Sequence, residues 1–434
     1  MKAKRIVALV LALSVVLGSM LSLSSCSASF KDWLEDYTKE DDNQSSALPD
    51  DGKTEGDTEN KPEDSTPSTD DNTSTDGDTT PPLAFNGTLY PGQGSVDIEY
   101  ISPKNRTLLS TVVIQTKFGS TPSAGSGVIY KLDKNTGDAY IITNYHLVYN
   151  KNYGSCTSVS LYLYGMVYTD YAIPATVVGG SIDYDIAVLK VTGSEILKNS
   201  YATDVSLGDS EGVRVFDEVF AVGNPEGFGM AVTEGIISVD SEGLDMTGAD
   251  GSSIKLRVMR ISAAINEGNS GGGLYDEDGK LIGIVCAKRI GSDIDNMAYA
   301  IPVNLAKNLA DNIIDNCNGT TATKVQRAYI GVEITAKVIG LVADPTTGEL
   351  YRAERVEVGE IKSDCIIKDE IKIGDVINSL TIDGVTVNVT RVHHITDHML
   401  TARKGSEISV NVTRDGESFD IEFIVPLSAI KAEK

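Results

Sequence analysis

From Thr107 onward the chain is cut into short apolar, β-branched runs separated by Gly, Asn and Asp turns. The runs cover residues 109–116, 127–131, 139–143, 159–164, 186–191, 219–222, 235–239, 256–261 and 280–285. Strands this short and this numerous bury their apolar faces only by closing on one another, so the pattern predicts an all-β barrel or sandwich. Helical periodicity first appears at 304–315, where Leu305, Leu309, Ile313 and Ile314 share a face. That helix closes the first folded unit. Residues 316–324, with Asn318-Gly319, read as a linker. A second β-rich unit follows from Arg327 to about Leu427, with one helical stretch at 390–402.

The first hundred residues do not have this pattern. Lys2, Lys4 and Arg5 precede an apolar run from Ile6 to Leu23, the composition of a signal peptide. The run ends in Leu23-Ser24-Ser25-Cys26, which resembles a bacterial lipobox. The resemblance implies acylation of Cys26 and membrane anchoring; an ordinary signal peptide or an uncleaved anchor is the competing reading. Two or more acyl chains anchor stably, because each buried methylene contributes ~0.8 kcal/mol. From about Lys39 to Pro82 almost no large apolar residue occurs. Such a segment cannot offset its ordering entropy and reads as an extended tether, with an acidic recognition tail as the other reading.

Charge excludes one class of function. The net charge is -25, and residues 27–78 hold 17 Asp and Glu against 4 Lys, about half of that excess. A nucleic-acid partner needs Lys and Arg gathered on one face, so none is expected. Five cysteines occur at spacings that suggest neither a disulfide framework nor a metal site.

Chemistry enters through three short segments. Of four histidines, only His146 falls in the first β unit. Gly268-Asn269-Ser270-Gly271-Gly272-Gly273 joins two strand-like segments and allows successive N–H groups to converge, as an oxyanion hole requires. Asp183-Tyr184-Asp185 precedes the apolar run 186–191, where a carboxylate can orient a histidine. Each signal is weak alone. The chain order His146, Asp185, Ser270 is that of chymotrypsin-like enzymes. An α/β-hydrolase also carries Gly-x-Ser-x-Gly, but its motif needs a helix after the serine, and residues 274–283 read as strand, turn, strand.

With these residues in view, the chain resembles the HtrA (Deg) serine proteases. Tyr140-Ile141-Ile142-Thr143-Asn144-Tyr145-His146, preceded by Gly125-Ser126-Gly127, is similar to their histidine motif. Asp185-Ile186-Ala187-Val188-Leu189 is similar to their aspartate motif, and Asn266-Glu267-Gly268-Asn269-Ser270-Gly271-Gly272 to their serine motif. The resemblance implies two six-stranded antiparallel barrels, chymotrypsin-like, followed by a small α+β PDZ domain. It implies the domain bounds 1–26 signal, 27–100 tether, 101–316 protease, 317–324 linker and 325–434 PDZ.

Carried over, Ser270 is the nucleophile, His146 the base and Asp185 the orienting acid, with Asp183 the less favoured alternative. The N–H groups around Gly268, Asn269 and Ser270 form the oxyanion hole. Ala264 stands where proteases that cut after Lys or Arg carry Asp. With Ile265, Val285, Cys286 and Ala287 it implies a small apolar S1 pocket and cleavage after small aliphatic residues. Tyr329, Ile330, Gly331 and Val332 resemble the carboxylate-binding loop of a PDZ domain, which takes peptide C-termini by strand addition. The family substrates are unfolded or partly folded proteins in the cell envelope, met by an extracytoplasmic, membrane-anchored homotrimer that needs no cofactor. A catalytically weak scaffold is the alternative. Gly273 replaces the proline usual in the family, and extra backbone freedom at the serine loop is the expected consequence. His393, His394 and His398 are expected on the solvent side of a helix lining the peptide groove, without a metal.

Overall fold

The computed structural model describes residues 101–433 apart from 167–170, 228, 287–296, 318–322, 344–347 and 349. All described residues belong to the unit Thr79–Lys434. The leader, Cys26 and the acidic segment lie outside the described residues, as does Ala287.

Helix α1 (Pro103–Ser110) opens the described chain, with Pro103 in its first turn and Ser102 Oγ accepting from the Asn105 N–H at 3.3 Å. The expected first strand therefore starts two residues late, because Leu109 and Ser110 finish this helix. Six strands of one sheet follow, β1 (Thr111–Phe118), β2 (Thr121–Asp133), β3 (Asp138–Thr143), β4 (Ser158–Tyr162), β5 (Ile173–Ser181) and β6 (Ile186–Val191), with a separate two-residue ribbon, Tyr149–Asn150 on Gly154–Ser155, between β3 and β4. The pairings run β5-β4-β1-β2-β3-β6, and β5 also pairs β6. Six further strands make a closed barrel: β7 (Glu218–Gly223), β8 (Ala231–Thr247), β9 (Ser253–Ile261), β10 (Gly273–Asp276), β11 (Leu281–Cys286) and β12 (Ala298–Pro302).

Side-chain alternation explains why several runs look continuously apolar. In β6, Ala187, Leu189 and Val191 enter one core while Ile186 and Val188 enter another, so both faces are buried. Strand β7 divides likewise: Val219 and Ala221 fill the closed barrel, and Phe220 and Val222 face outward. The outward residues of both strand sets share a core with Leu305, Leu309 and Ile313 of helix α2 (Val303–Asp315). Burying such side chains contributes ~1.5–3 kcal/mol each, which fixes how the two sets meet. Their junction is where the candidate catalytic residues lie.

Strand β5 does not stand among the apolar runs of the sequence, because Pro174, Gly179 and Gly180 break it, whereas β10 and β11 form the strand, turn, strand expected over 274–283. Gly179 is required by close approach. A Cβ there would fall well inside 3.0 Å of the Thr323 carbonyl oxygen. Strand β13 (Thr323–Lys324) uses that gap to pair in parallel with β5, so the expected linker is partly built into the sheet.

The C-terminal part consists of β14 (Gln326–Ala328), β15 (Val332–Ala343), β16 (Leu350–Ile361), β17 (Val376–Ile382), β18 (Val385–Asn388), helix α3 (Val392–His398), β19 (Glu407–Arg414), β20 (Glu417–Ile424) and β21 (Ile430–Ala432). Its main sheet runs β15-β16-β17-β19-β20, with β18 added on β17, and β14 pairs β21 separately. Buried Asp375 takes a bidentate Arg414 guanidinium at 2.7 and 2.6 Å and the Lys372 N–H at 2.8 Å, which fixes the turn into β17. Leu400, just after α3, packs in the core shared with α2.

Candidate active site

Strand β3 ends at Thr143, and a single 3-10 turn, Tyr145–Leu147, presents His146. The Asp185 carbonyl accepts from the Tyr145 N–H at 3.1 Å and from Asn144 Nδ2 at 3.0 Å, tying this turn to the start of β6. Asp185 has φ 51°, a left-handed conformation that Asp tolerates better than most residues. Held so, its buried carboxylate accepts from His146 Nδ1 at 2.8 Å and from the His146 N–H at 3.0 Å. A carboxylate on Nδ1 leaves Nε2 as the basic nitrogen, the tautomer a general base needs. Asp183 lies at the surface instead, 4.0 Å from Arg327.

The serine loop is held from the other side by Ser126 of β2. Ser126 Oγ donates to the Gly268 carbonyl at 2.8 Å and accepts from the Asn224 N–H at 2.9 Å. The Ser126 N–H donates to the Ser270 carbonyl at 2.8 Å, and Thr143 Oγ1 donates to the Ser126 carbonyl at 2.7 Å. The strand leading to His146 is thereby bonded through Ser126 to the loop carrying Ser270. Gly271 and Gly272 bond to Val285 across β11 at 2.8 Å each. Gly271 has φ 83°, and a Cβ on it would collide with Ser126 O and Thr143 Oγ1. The glycines are thus required by close backbone approach as well as by conformation.

Residues 125–284 match the trypsin-like peptidase domain family. The chain carries a trypsin-like peptidase domain and has HtrA-type serine proteases as homologues. The serine protease Do-like HtrB of Bacillus subtilis is 35% identical over 211 residues, 48% of this chain and 41% of that protein. A serine protease HtrA-like of Staphylococcus epidermidis is 29% identical over 356 residues, 76% of this chain and 56% of that protein. The solved structure of the HtrA-type protease AlgW with tripeptide is 28% identical, covers 76% of this chain and 97% of that one, and has a TM-score of 0.49. The chain spans about half the length of the curated relatives it matches.

Within this domain the residues expected to wall the S1 pocket separate. Ala264 is exposed and Ile265 half-buried, on the segment before the serine loop. Val285 instead lies in the barrel interior with Leu274 and Met259. Cys286 is buried with its thiol 3.4 Å from Asp185 Oδ2. Both belong to a strand whose side chains alternate into the two cores. The Cys286 thiol donates to the Asp185 carboxylate, a contact the reading of the sequence missed, as it missed those of Ser126.

Gly273 is the first residue of a strand. It lies in β10, paired with Val222 and Ile284, and is buried. The space that a Cβ would occupy is filled by the ring of Tyr275, which is wholly buried and 2.9 Å from Thr111 Oγ1. The position is a paired and buried part of the barrel.

In the C-terminal part, a cavity of 350 Å³ is lined by Tyr329, Ile330, Gly331 and Val332 together with Ile334, Ile395 and Met399. The histidines of α3 turn the other way. His393 and His394 are half-buried, each with Nε2 3.1 Å from Glu211 Oε2, and neither lines the cavity. His398 is buried and 3.0 Å from the Val385 carbonyl. Burial pushes the His393 imidazole down to about 4 against the opposing pull of Glu211. For Glu211, burial favours the neutral form, but the two imidazoles and Arg257 outweigh it and hold the carboxyl well below the usual range.

Proposed function

We propose that the chain is a serine endopeptidase in which Ser270, His146 and Asp185 act as one catalytic unit. The observation that carries this is the Asp185 carboxylate on His146 Nδ1, in a domain where Ser126 bonds the His146 strand to the Ser270 loop. His146 Nε2 takes the Ser270 Oγ proton as Oγ attacks the scissile carbonyl. The imidazolium, stabilised by Asp185, then delivers that proton to the leaving amine, and water repeats the sequence to release the acyl group. The N–H groups of Gly268 and Ser270 bind the oxyanion, with Ser126 Oγ holding the 268–269 peptide in place.

Several finer statements belong to the same reading. The ring of pairings β5-β4-β1-β2-β3-β6 is the second barrel of a chymotrypsin-like fold, and the C-terminal sheet with α3 is a PDZ domain. Peptide C-termini of unfolded or partly folded proteins add a strand beside β15, in the cavity under Tyr329–Val332. Cys26 carries the lipid that anchors the enzyme outside the cytoplasm, where it removes damaged envelope proteins as a homotrimer. Digestion of casein by the purified chain tests the central assignment. Loss of cleavage in Ser270→Ala, with an unchanged melting temperature, is expected. Retained cleavage refutes it.

A further inference from the structure

Helix α3 brings two histidines, adjacent in sequence, onto one carboxylate from a distant part of the chain. His393 Nε2 and His394 Nε2 each lie 3.1 Å from Glu211 Oε2, and the three ligand atoms lie within 4.8 Å of one another. Ligands bound at ~2.0–2.1 Å in a tetrahedron stand roughly 3.3 Å apart, so two of the three edges already have the spacing of a transition-metal site.

The supporting contacts fit the same use. The other Glu211 oxygen, Oε1, accepts from Arg257 Nη2 at 3.0 Å, which aims Oε2 at the imidazoles. His394 Nδ1 is 2.9 Å from the Asn388 carbonyl and 3.2 Å from the Thr390 N–H. The Thr390 N–H donates to a bare Nδ1, whereas the shorter Asn388 contact is a hydrogen bond only in the other tautomer, with Nδ1–H as donor. In that second tautomer of the neutral ring Nε2 carries a lone pair, and that lone pair faces a carboxylate oxygen at 3.1 Å. Two acceptors so placed repel unless a cation or a proton lies between them. An outer carbonyl on one ring nitrogen, with the other nitrogen free to ligate, is how metal-bound histidines are commonly oriented.

We infer that Glu211, His393 and His394 form a site for a Zn²⁺-like divalent transition metal, with a fourth position for water. Imidazole and carboxylate donors favour such a metal over Ca²⁺ or Mg²⁺, which take all-oxygen shells. The ion would join α3, whose opposite face carries Ile395 and Met399 of the apolar cavity, to the segment that follows the first six strands. The competing account is a clamp of hydrogen bonds alone, in which both Nε2 atoms are protonated and donate to Glu211.

The test titrates the metal-free, untagged full chain with Zn²⁺ against a chromophoric chelator, and separately with Co²⁺. One Zn²⁺ per chain is expected, together with the intense visible bands of four-coordinate Co²⁺. His393→Asn and His394→Asn should each weaken Zn²⁺ at least about 100-fold, since loss of an outer-shell partner alone costs ~10–100-fold. Glu211→Gln, which keeps the shape of the joint, serves if a histidine variant fails to fold. The inference is overturned by the absence of stoichiometric binding, by six-coordinate Co²⁺ spectra in the unmutated chain, or by binding that folded variants leave undiminished.

Discussion

Ser270 and the His393–His394 pair each lie where separate parts of the chain meet, but the two joints are built from different chemistry. At Ser270 the ties are neutral: backbone groups and the hydroxyls of Ser126 and Thr143, packed so closely that Gly271 has no room for a side chain. At α3 the ties are charged. Arg257 bonds Asp397 and Glu211, Arg391 reaches Asp240 at 2.6 Å, and Arg403 reaches Asp315 at 3.0 Å. The neutral joint depends on steric fit and is insensitive to salt and pH. The charged joint is adjustable, because ion pairs respond to both. Catalysis needs the first kind of joint, where a displacement of 1 Å can cost ~100-fold in rate.

The sharpest break in the comparison comes at Gly271. Gly271→Ala forces a Cβ into Ser126 and Thr143 at a left-handed φ, so a loss of about 2–4 kcal/mol in stability is expected. Peptidase activity should fall at least about 100-fold. Chemical denaturation and a peptide assay measure the two.

Gly273→Pro should cost somewhat less, about 2–3 kcal/mol, because the ring of Tyr275 fills the space and the ladder to β7 and β11 is interrupted. It should not raise the activity. Combining it with Tyr275→Ala should give a loss smaller than the sum of the two by at least about 1 kcal/mol, as expected for residues in contact. Strict additivity would place the clash elsewhere.

The smallest effect belongs to a charged tie. Glu433 accepts from Ser181 Oγ at 2.9 Å and pairs with Arg327 at 3.1 Å; burial, then the bond with Asp183, pushes its carboxyl up to about 7. A raised carboxyl contributes stability below the unfolded value of 4.5, and that contribution is lost as pH rises to about 7. Between pH 4.5 and 7.5 the protein should lose about 1–3 kcal/mol relative to Glu433→Gln. Parallel urea titrations across that range measure it, and parallel pH profiles would contradict it.

Much of the candidate site was legible because each proposed residue type is demanded by chemistry and its local pattern survives in the sequence. An Asp before an apolar strand, a histidine after one and a serine among glycines are all short-range signals. Most strands were legible from β-branched runs, but β5 was not, since Gly179 serves a close contact with Thr323 rather than strand propensity. Ser126 escaped because its bond to Gly268 spans 142 residues. The inward turn of His393 and His394 escaped for the same reason: it is decided by Glu211 and Arg257, which come from the other side of the joint. Helical position predicts which residues share a face, but not which face a distant segment will cover.

The most direct test of the central claim is covalent labelling of the intact chain with a fluorophosphonate, followed by peptide mapping. An activated serine reacts because a neighbouring base takes its proton. A single adduct on Ser270 is predicted, lost in His146→Ala and greatly slowed in Asp185→Asn. Labelling of another serine, or of Ser270 at an undiminished rate without His146, would contradict the account.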